Sequence, residues 1–261
     1  MLENTITKKY GDNLVVENAS IALEEHKCHL LIGKNGSGKT TILKTLCGLI
    51  RKYKGSISKM NCFLLLDGDF YLSGKTGQEN LEYILGKEEV EKSKRYIEYF
   101  KMGSFINNKV KTYSNGMKKK LGLVLAFSKN VDVVLLDEPT NSLDAATILD
   151  LKKLISEEKT TRTFLISSHD FVLRDSELVD HIFMIKDKVV SEKELLSNDY
   201  KVYKVRTNED VSSNFEIIAE KGLYKYIKIY DLARDVKKLS NYGLVELIEV
   251  NYTDELYLEE E

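Results

Sequence analysis

The sequence predicts an α/β fold with a central sheet, because apolar runs with the composition of buried strands each end in polar residues. Three such runs are Leu30-Leu31-Ile32 before the glycine-rich stretch 33–40, 131–136 before Asp137 and Glu138, and 163–167 before Ser168-His169-Asp170. Ligands of open α/β sheets gather at the carboxyl ends of the strands. We therefore expect these polar residues to meet at one site.

The glycine-rich stretch fits the phosphate-loop pattern GxxxxGK[ST], with a strand before it and a helical pattern after it. Gly36 and Gly38 would let the backbone wrap closely around a polyphosphate. The helix after the loop adds its unpaired N–H groups and the positive end of its dipole. Lys39 is placed to reach the β- and γ-phosphates, and the Thr40 hydroxyl can bind Mg²⁺. The stretch predicts a nucleotide site.

Composition is that of an ordinary globular protein, with 261 residues, 31% charged residues and a net charge of −2. From position 199 onward the chain carries 14 acidic and 9 basic residues, and the part before it is only slightly basic, so nucleic acid is not an expected partner. The three cysteines have no CxxC spacing, and we expect reduced thiols. There is no signal-peptide pattern and no apolar run of about 18–20 residues, so a partner is expected to supply any membrane-spanning part.

Before the loop, β-prone runs are broken at Tyr10-Gly11-Asp12-Asn13. Tyr10 could stack on an adenine or be a half-buried strand tyrosine, and position alone leaves both open. Beyond the loop, the capping box Thr76-Gly77-Gln78-Glu79 opens a helix to about Leu85, and a second helix is expected over 89–101. A third helix is expected directly after Tyr113-Ser114-Asn115-Gly116-Met117, with a basic start and an apolar stripe.

The last part of the chain predicts a helix from Ser142 and a hairpin over 181–190. From position 199 the pattern alternates strand, helix, strand (226–229), helix (232–239) and strand (245–250). This indicates a small C-terminal α/β lobe in which no site is evident.

Taken together, five separated motifs resemble those of the ATP-binding subunit of an ABC transporter, over residues 2 to about 190. They are the Walker A loop at 33–40, the Walker B strand with its glutamate at 133–138, the D-loop at Asn141-Ser142-Leu143-Asp144, the switch histidine at Ser168-His169, and the signature motif at 113–117. The resemblance implies a P-loop NTPase of ABC type, with a mixed sheet core, an antiparallel β-subdomain and a helical subdomain.

The resemblance also implies roles for these residues. Asp137 and Thr40 would hold Mg²⁺, Glu138 would polarise the attacking water, and His169 would contact the γ-phosphate of ATP. Ser114, Asn115 and Gly116 would bind the γ-phosphate of a nucleotide held by a second ATPase subunit. The chain's own nucleotide would be bound by Tyr10, Asn35, Gly36, Ser37, Gly38, Lys39, Thr40 and Thr41.

Two departures from the family pattern bear on the site. Asn115 and Met117 replace a glycine and the glutamine of the family's LSGGQ, whereas Ser114 and Gly116 are retained. Asp67 stands where the family has the glutamine of its Q-loop. A carboxylate there would carry a charge toward the γ-phosphate unless a cation lies between them, so Asp67 is expected as a further metal-site residue. The alternative is that Asp67 turns outward, toward the helical region or the permease.

The function implied is that of an ATP-hydrolysing subunit that dimerises on ATP, with a second copy or a paralogue. It would drive a separate permease from the cytoplasmic face of the membrane. The compact helical region resembles those of bacterial export systems for peptides, antibiotics or lipid-linked compounds. The expected domains are 1–198, with the helical subdomain at about 72–128, and 199–261.

Two other classes stay open. A soluble ABC ATPase acting on ribosomes or DNA is disfavoured by the single cassette and by the lack of a basic patch. A P-loop kinase would leave Ser114 and His169 unexplained.

Overall fold

The computed structural model describes residues 1–68, 71–169, 173, 178–193 and 201–249. The chain forms two compact units, residues 1–194 and 195–261. The predicted Asp170 lies outside the described residues. Within the described ranges, none of the helices has the length and apolar composition that a membrane span requires.

A three-stranded antiparallel sheet occupies the N-terminal part of the first unit, in the order β2-β1-β4. Its strands are β1 (Leu2–Tyr10), β2 (Asn13–Leu23) and β4 (Lys54–Ile57). Tyr10 pairs with Asn13, so the two residues between them form the hairpin turn, and Gly11 takes the left-handed φ of 57° that this turn requires. Buried side chains such as Ile6 and Ile21 join the sheet to the core.

The central sheet has six strands in the order β5-β6-β7-β3-β8-β9. These are β3 (Cys28–Ile32), β5 (Cys62–Leu65), β6 (Val133–Asp137), β7 (Thr163–Ser168), β8 (His181–Lys186) and β9 (Val189–Lys193). The first five in this order run parallel, and β9 is antiparallel to β8. Every residue of β3, β6 and β7 is buried, as expected of parallel strands covered on both faces. The predicted mixed sheet and the predicted hairpin are confirmed.

Five helices accompany the central sheet in the described part of this unit: α1 (Lys39–Leu46), α2 (Gly77–Ile84), α3 (Lys87–Tyr99), α4 (Asn115–Ser128) and α5 (Ala145–Glu158). The predicted capping box at α2 is present, because the Thr76 hydroxyl accepts from the Glu79 N–H at 3.0 Å and the Glu79 carboxylate accepts from the Thr76 N–H at 2.7 Å. Helix α5 begins later than predicted. Ser142 has a left-handed φ of 65°, which excludes it from the helix, and Asp144 provides the N-cap instead.

The second unit contains a four-stranded antiparallel sheet in the order β11-β12-β10-β13, together with one helix in its described part. The elements are β10 (Lys201–Thr207), β11 (Ile217–Lys221), β12 (Tyr224–Ile229), α6 (Leu232–Ser240) and β13 (Leu244–Glu249). The prediction of a helix between β10 and β12 is wrong, because β11 lies there. Lys221 pairs with Tyr224 across a two-residue turn, and Gly222 supplies its left-handed φ of 62°. A β-branched pair before a glycine turn favours this hairpin over a helix.

Candidate nucleotide site

The loop between β3 and α1 is shaped by its glycines. Gly36 and Gly38 have left-handed φ values of 82° and 110°, and Gly38 is the N-cap of α1. A Cβ on Gly38 would lie 2.8 Å from Val16 Cγ2, so strand β2 closes against the loop. The buried hydroxyl of Ser37 has no hydrogen-bond partner within the described part of the chain. An unpaired buried hydroxyl beside a helix N-terminus fits an anionic ligand such as a phosphate.

Lys39 is 5% exposed and connects the loop to the end of β6. Its ammonium donates to the carbonyl oxygen of Gly33 at 2.6 Å and lies 3.2 Å from Glu138 Oε1. A lysine held across the mouth of a phosphate loop can serve phosphate oxygens as a point charge.

Oxygen donors meet next to the lysine. The Thr40 hydroxyl donates to Asp137 Oδ2 at 2.8 Å, and the Ser167 hydroxyl donates to Asp137 Oδ1 at 2.6 Å. Asp137 is 3% exposed. The described residues contain no group of three His, Cys, Asp or Glu side chains that could hold a metal ion. A carboxylate and a hydroxyl suit Mg²⁺ when phosphates supply further ligands, so this donor set fits a nucleotide-bound Mg²⁺.

Glu138 lies where β6 ends and has a left-handed φ of 46°. Its N–H lies 3.2 Å from the carbonyl oxygen of Ser167 and 3.1 Å from the Ser167 hydroxyl. Its Oε2 is 2.8 Å from His169 Nδ1. The carboxylate is therefore held between Lys39 and His169, and the two predicted catalytic residues are in direct contact.

Asp67 has contacts that the sequence did not predict. Its Oδ1 is 2.6 Å from Lys119 Nζ, and its Oδ2 accepts from Asn141 Nδ2 at 2.9 Å. Partial burial alone would raise the pKa of Asp67, but the hydrogen bonds from Lys119 and Asn141 outweigh it and hold the pKa below its usual range. The structure thus gives Asp67 a cationic partner within the protein, Lys119, which the sequence did not predict. In the sequence, the only indication of Lys119 as this partner was its place in the lysine run 118–120. Nothing in that run distinguishes Lys119 from its neighbours.

An open cleft of about 390 Å³ brings most of these residues together. Its lining consists of Val15, Asn35, Gly36, Gly38, Lys39, Thr40, Thr41, Lys44, Leu66, Asp67, Asp137 and Glu138. Asp67 lines the cleft although both of its oxygens are engaged elsewhere, so its role at a metal stays a prediction.

Comparison with known proteins identifies the family. Residues 16–141 match the model of the ABC transporter family. The chain is 30% identical to the lantibiotic transport ATP-binding protein SrtF of Streptococcus pyogenes, over 72% of this chain and 88% of that protein. The chain belongs to the ABC transporter ATP-binding proteins. It is also 30% identical to the bacitracin transport ATP-binding protein BcrA of Enterococcus faecalis, over 90% of this chain and 85% of that protein.

Solved structures agree on the fold of this ABC subunit. An ATP-binding subunit of an ABC transporter matches 75% of the chain with a TM-score of 0.67 and 22% identity. A dimeric post-hydrolysis ATP-binding cassette bound to ADP and Pi matches 76% of it with a TM-score of 0.65 and 19% identity. As a member of the family shown by its relatives, the chain is an ATP-binding and ATP-hydrolysing subunit of an ABC transporter, and members of this family dimerise and work with a membrane permease. A ribosomal or DNA-directed ATPase is not favoured.

The signature motif of the ABC subunit lies at the start of α4. Ser114 is the N-cap, and its hydroxyl accepts from the Met117 N–H at 3.2 Å. A Cβ on Gly116 would lie 2.7 Å from the carbonyl oxygen of Ser142, so the motif packs closely against the D-loop of the same chain. Ser114, Asn115 and Gly116 do not line the cleft around Lys39. The structure therefore does not bring the signature motif to the phosphate loop of its own chain.

Tyr10 is 51% exposed at the end of β1. The ammonium of Lys8 lies 4.3 Å from the centre of its ring, in cation–π contact. Tyr10 is not among the residues that line the cleft. Stacking of this ring on an adenine therefore stays a prediction.

Proposed function

We propose that this subunit powers the export of a peptide antibiotic, or of a related lipid-linked compound, through a separate permease. The observation that carries the proposal is the alignment with the bacitracin transport protein, which extends over 90% of the chain and so continues beyond the ATPase core. The relative named for lantibiotic transport supports the same substrate class. The subunit would bind the permease at the cytoplasmic face of the membrane, with an ATPase domain at 1–198 and an accessory lobe at 199–261.

Hydrolysis would be carried out by the residues around Glu138. That carboxylate would accept a proton from the attacking water. Of the acids that line the cleft, Asp137 is already bonded to Thr40 and Ser167, and Glu138 is the less exposed of the others. His169 would fix its orientation through the contact at 2.8 Å. Lys39 would neutralise phosphate charge. Thr40 and Asp137 would hold Mg²⁺, whose positive charge would offset the negative charge of the phosphates.

Two subunits would complete each other's sites. Ser114 and Asn115 are exposed at the N-terminus of α4, where the positive end of the helix dipole favours an anion. Because these residues do not line their own cleft, the phosphate that they bind would belong to nucleotide on a second subunit, either another copy or a paralogue.

The substrate class is tested in a host strain from which the gene has been deleted. Growth inhibition by bacitracin and by a lantibiotic is measured in cells that carry the wild-type gene, the Glu138→Gln gene or neither. We expect the wild-type gene alone to restore resistance, and the chain to copurify with a multi-spanning membrane protein. Equal sensitivity of the three strains to both compounds would reject the proposed substrates without affecting the assignment as an ATPase.

A further inference from the structure

Lys119 is a buried cation that the proposed hydrolytic mechanism does not use. It lies in the second turn of α4 and is 8% exposed. Its ammonium donates to Asp67 Oδ1 at 2.6 Å and to the main-chain carbonyl oxygen of Glu138 at 3.0 Å. A lysine ammonium has three N–H donors, and two of them are thereby assigned. One side chain thus joins the signature helix to the residue that would activate water.

Asp67 fixes the direction in which Lys119 points. The carboxylate binds Lys119 through Oδ1 and Asn141 through Oδ2, at 2.6 and 2.9 Å. Asn141 in turn donates its main-chain N–H to the carbonyl oxygen of Glu138 at 3.3 Å. Asp67, Lys119 and Asn141 therefore form a closed cluster around the main chain of Glu138.

The main chain of Glu138 needs such support. A non-glycine residue with a φ of 46° is strained, and such strain persists only where the surroundings over-determine the conformation. The N–H side is held by Ser167, and the carbonyl side is held by Lys119 and Asn141. Rotation of this peptide would move the carboxylate away from Lys39 and His169.

We propose that Lys119 is a positioning residue for ATP hydrolysis, oriented by Asp67 and acting through the main-chain carbonyl of Glu138. In this arrangement Asp67 serves the site through Lys119 instead of through the metal. Lys119 also cancels the charge that Asp67 would otherwise add beside the nucleotide phosphates. The inference rests on the proposed role of Glu138 as the base.

Steady-state hydrolysis by the full-length chain tests the proposal with Lys119→Met, Asp67→Asn and the double variant. We expect Lys119→Met to lower kcat by about 10- to 100-fold, because small misplacements of a catalytic group have effects of this size, and to change KM by less than about threefold. Asp67→Asn should lower kcat by a smaller factor. The double variant should be no slower than Lys119→Met, because Asp67 acts only through Lys119.

Equilibrium binding of a fluorescent ATP analogue gives a second measurement that needs no turnover. Without Mg²⁺, Lys119→Met should bind the analogue about tenfold more weakly than wild type, because the Asp67 charge is no longer cancelled. The double variant should return to the wild-type value. Nucleotide binding by Asp67→Asn should depend on Mg²⁺ no more steeply than in wild type.

Lys129 offers a matched control at the other end of α4. It too donates to one carboxylate, Glu89 at 2.9 Å, and to one carbonyl oxygen, that of Ile84 at 3.0 Å. Lys129→Met should therefore lower the thermal midpoint as Lys119→Met does, and leave kcat within about twofold of wild type, because it removes a similar hydrogen-bonded ion pair away from the cleft. If Lys119→Met does not fold, the kcat of Asp67→Asn is the decisive measurement. A kcat equal to that of wild type would then overturn the proposal.

Glu138→Gln separates this inference from the assignment on which it rests. If Glu138→Gln stalls hydrolysis while Lys119→Met keeps the wild-type kcat, the positioning role is refuted and the base assignment stands. If Glu138→Gln itself hydrolyses ATP normally, the assignment of the base is what fails. A double variant whose loss equals the product of the two single losses would also overturn the proposal, since Asp67 would then act independently of Lys119.

Discussion

Replacing Gly116 with alanine tests whether this glycine serves its own chain as well as a neighbouring subunit. An alanine Cβ would lie 2.7 Å from the carbonyl oxygen of Ser142, against the 3.4 Å at which ordinary contact begins. The obstructing atom belongs to the main chain, and Ser142 already has a left-handed φ of 65°. Relief therefore requires movement of α4 or of the D-loop, because no side chain can rotate away.

Two opposing terms set the expected magnitude. Alanine in place of glycine stabilises a helix by up to about 1 kcal/mol, and by less in the first turn, where Gly116 lies. Forcing an extra methyl group into a close contact costs about 1–3 kcal/mol. The free energy of unfolding should thus fall by about 1 kcal/mol. If Gly116 served only to approach a phosphate on another subunit, Gly116→Ala would raise the free energy of unfolding, because alanine would then simply favour the helix.

Urea unfolding of the full chain without nucleotide measures the sign directly. Gly122→Ala in the same helix is the matched control, since its Cβ would lie 2.7 Å from Leu65 Cδ1 and 2.6 Å from the Tyr71 hydroxyl, both at the ends of side chains. We expect Gly122→Ala to stay within about 1 kcal/mol of wild type, with the helix gain offsetting the contact. Equal or greater stability of Gly116→Ala than of wild type would refute the packing argument.

Three further outcomes are expected. Glu138→Gln should lower ATP turnover by about 10²- to 10⁴-fold while ATP binding is kept and an ATP-bound dimer accumulates; unchanged turnover would remove Glu138 from the mechanism. Ser114→Arg should abolish turnover with little change in the ATP affinity of the monomer. Mixing it with Lys39→Ala should restore one composite site. Confirmed mixed dimers without activity would mean that Ser114 does not act in trans or that both sites must act together. Burial lowers the pKa of His29 from 6.5 to about 4, so unfolding should become easier as the pH falls from 6.5 toward 4, by up to about 3 kcal/mol, and His29→Gln should flatten this dependence in urea titrations at several pH values.

Short sequence motifs were sufficient to predict contacts between residues that lie close together in the chain. The phosphate loop, the acids that end β6 and the capping box at Thr76 each depend on residues a few positions apart, and their geometry is set by residue type. The partner of Asp67 could not be predicted in this way. Lys119 is 52 positions away and lies within a run of three lysines, so only the packing of α4 against β5 and the D-loop selects it.

The same limit explains the error in the C-terminal lobe. The segment before β12 contains apolar residues at spacings that allow either a helix or a strand, and periodicity alone cannot decide between them for so short a run. The pairing of β11 with β12, across the turn at Gly222, decides it in favour of the strand. Ser142 is a similar case, since its left-handed φ accompanies close packing against Gly116.

The contact between Lys39 and Glu138 affects how variants of the phosphate loop are interpreted. The two side chains are 3.2 Å apart and almost fully enclosed. Substitution of Lys39 would therefore weaken the hold on phosphate and also leave an enclosed carboxylate without its counter-charge. The activity of such a variant would combine both losses, and its stability measured without nucleotide would separate them. In this protein the residue that would bind the nucleotide phosphates is also the electrostatic partner of the residue that would activate water for hydrolysis.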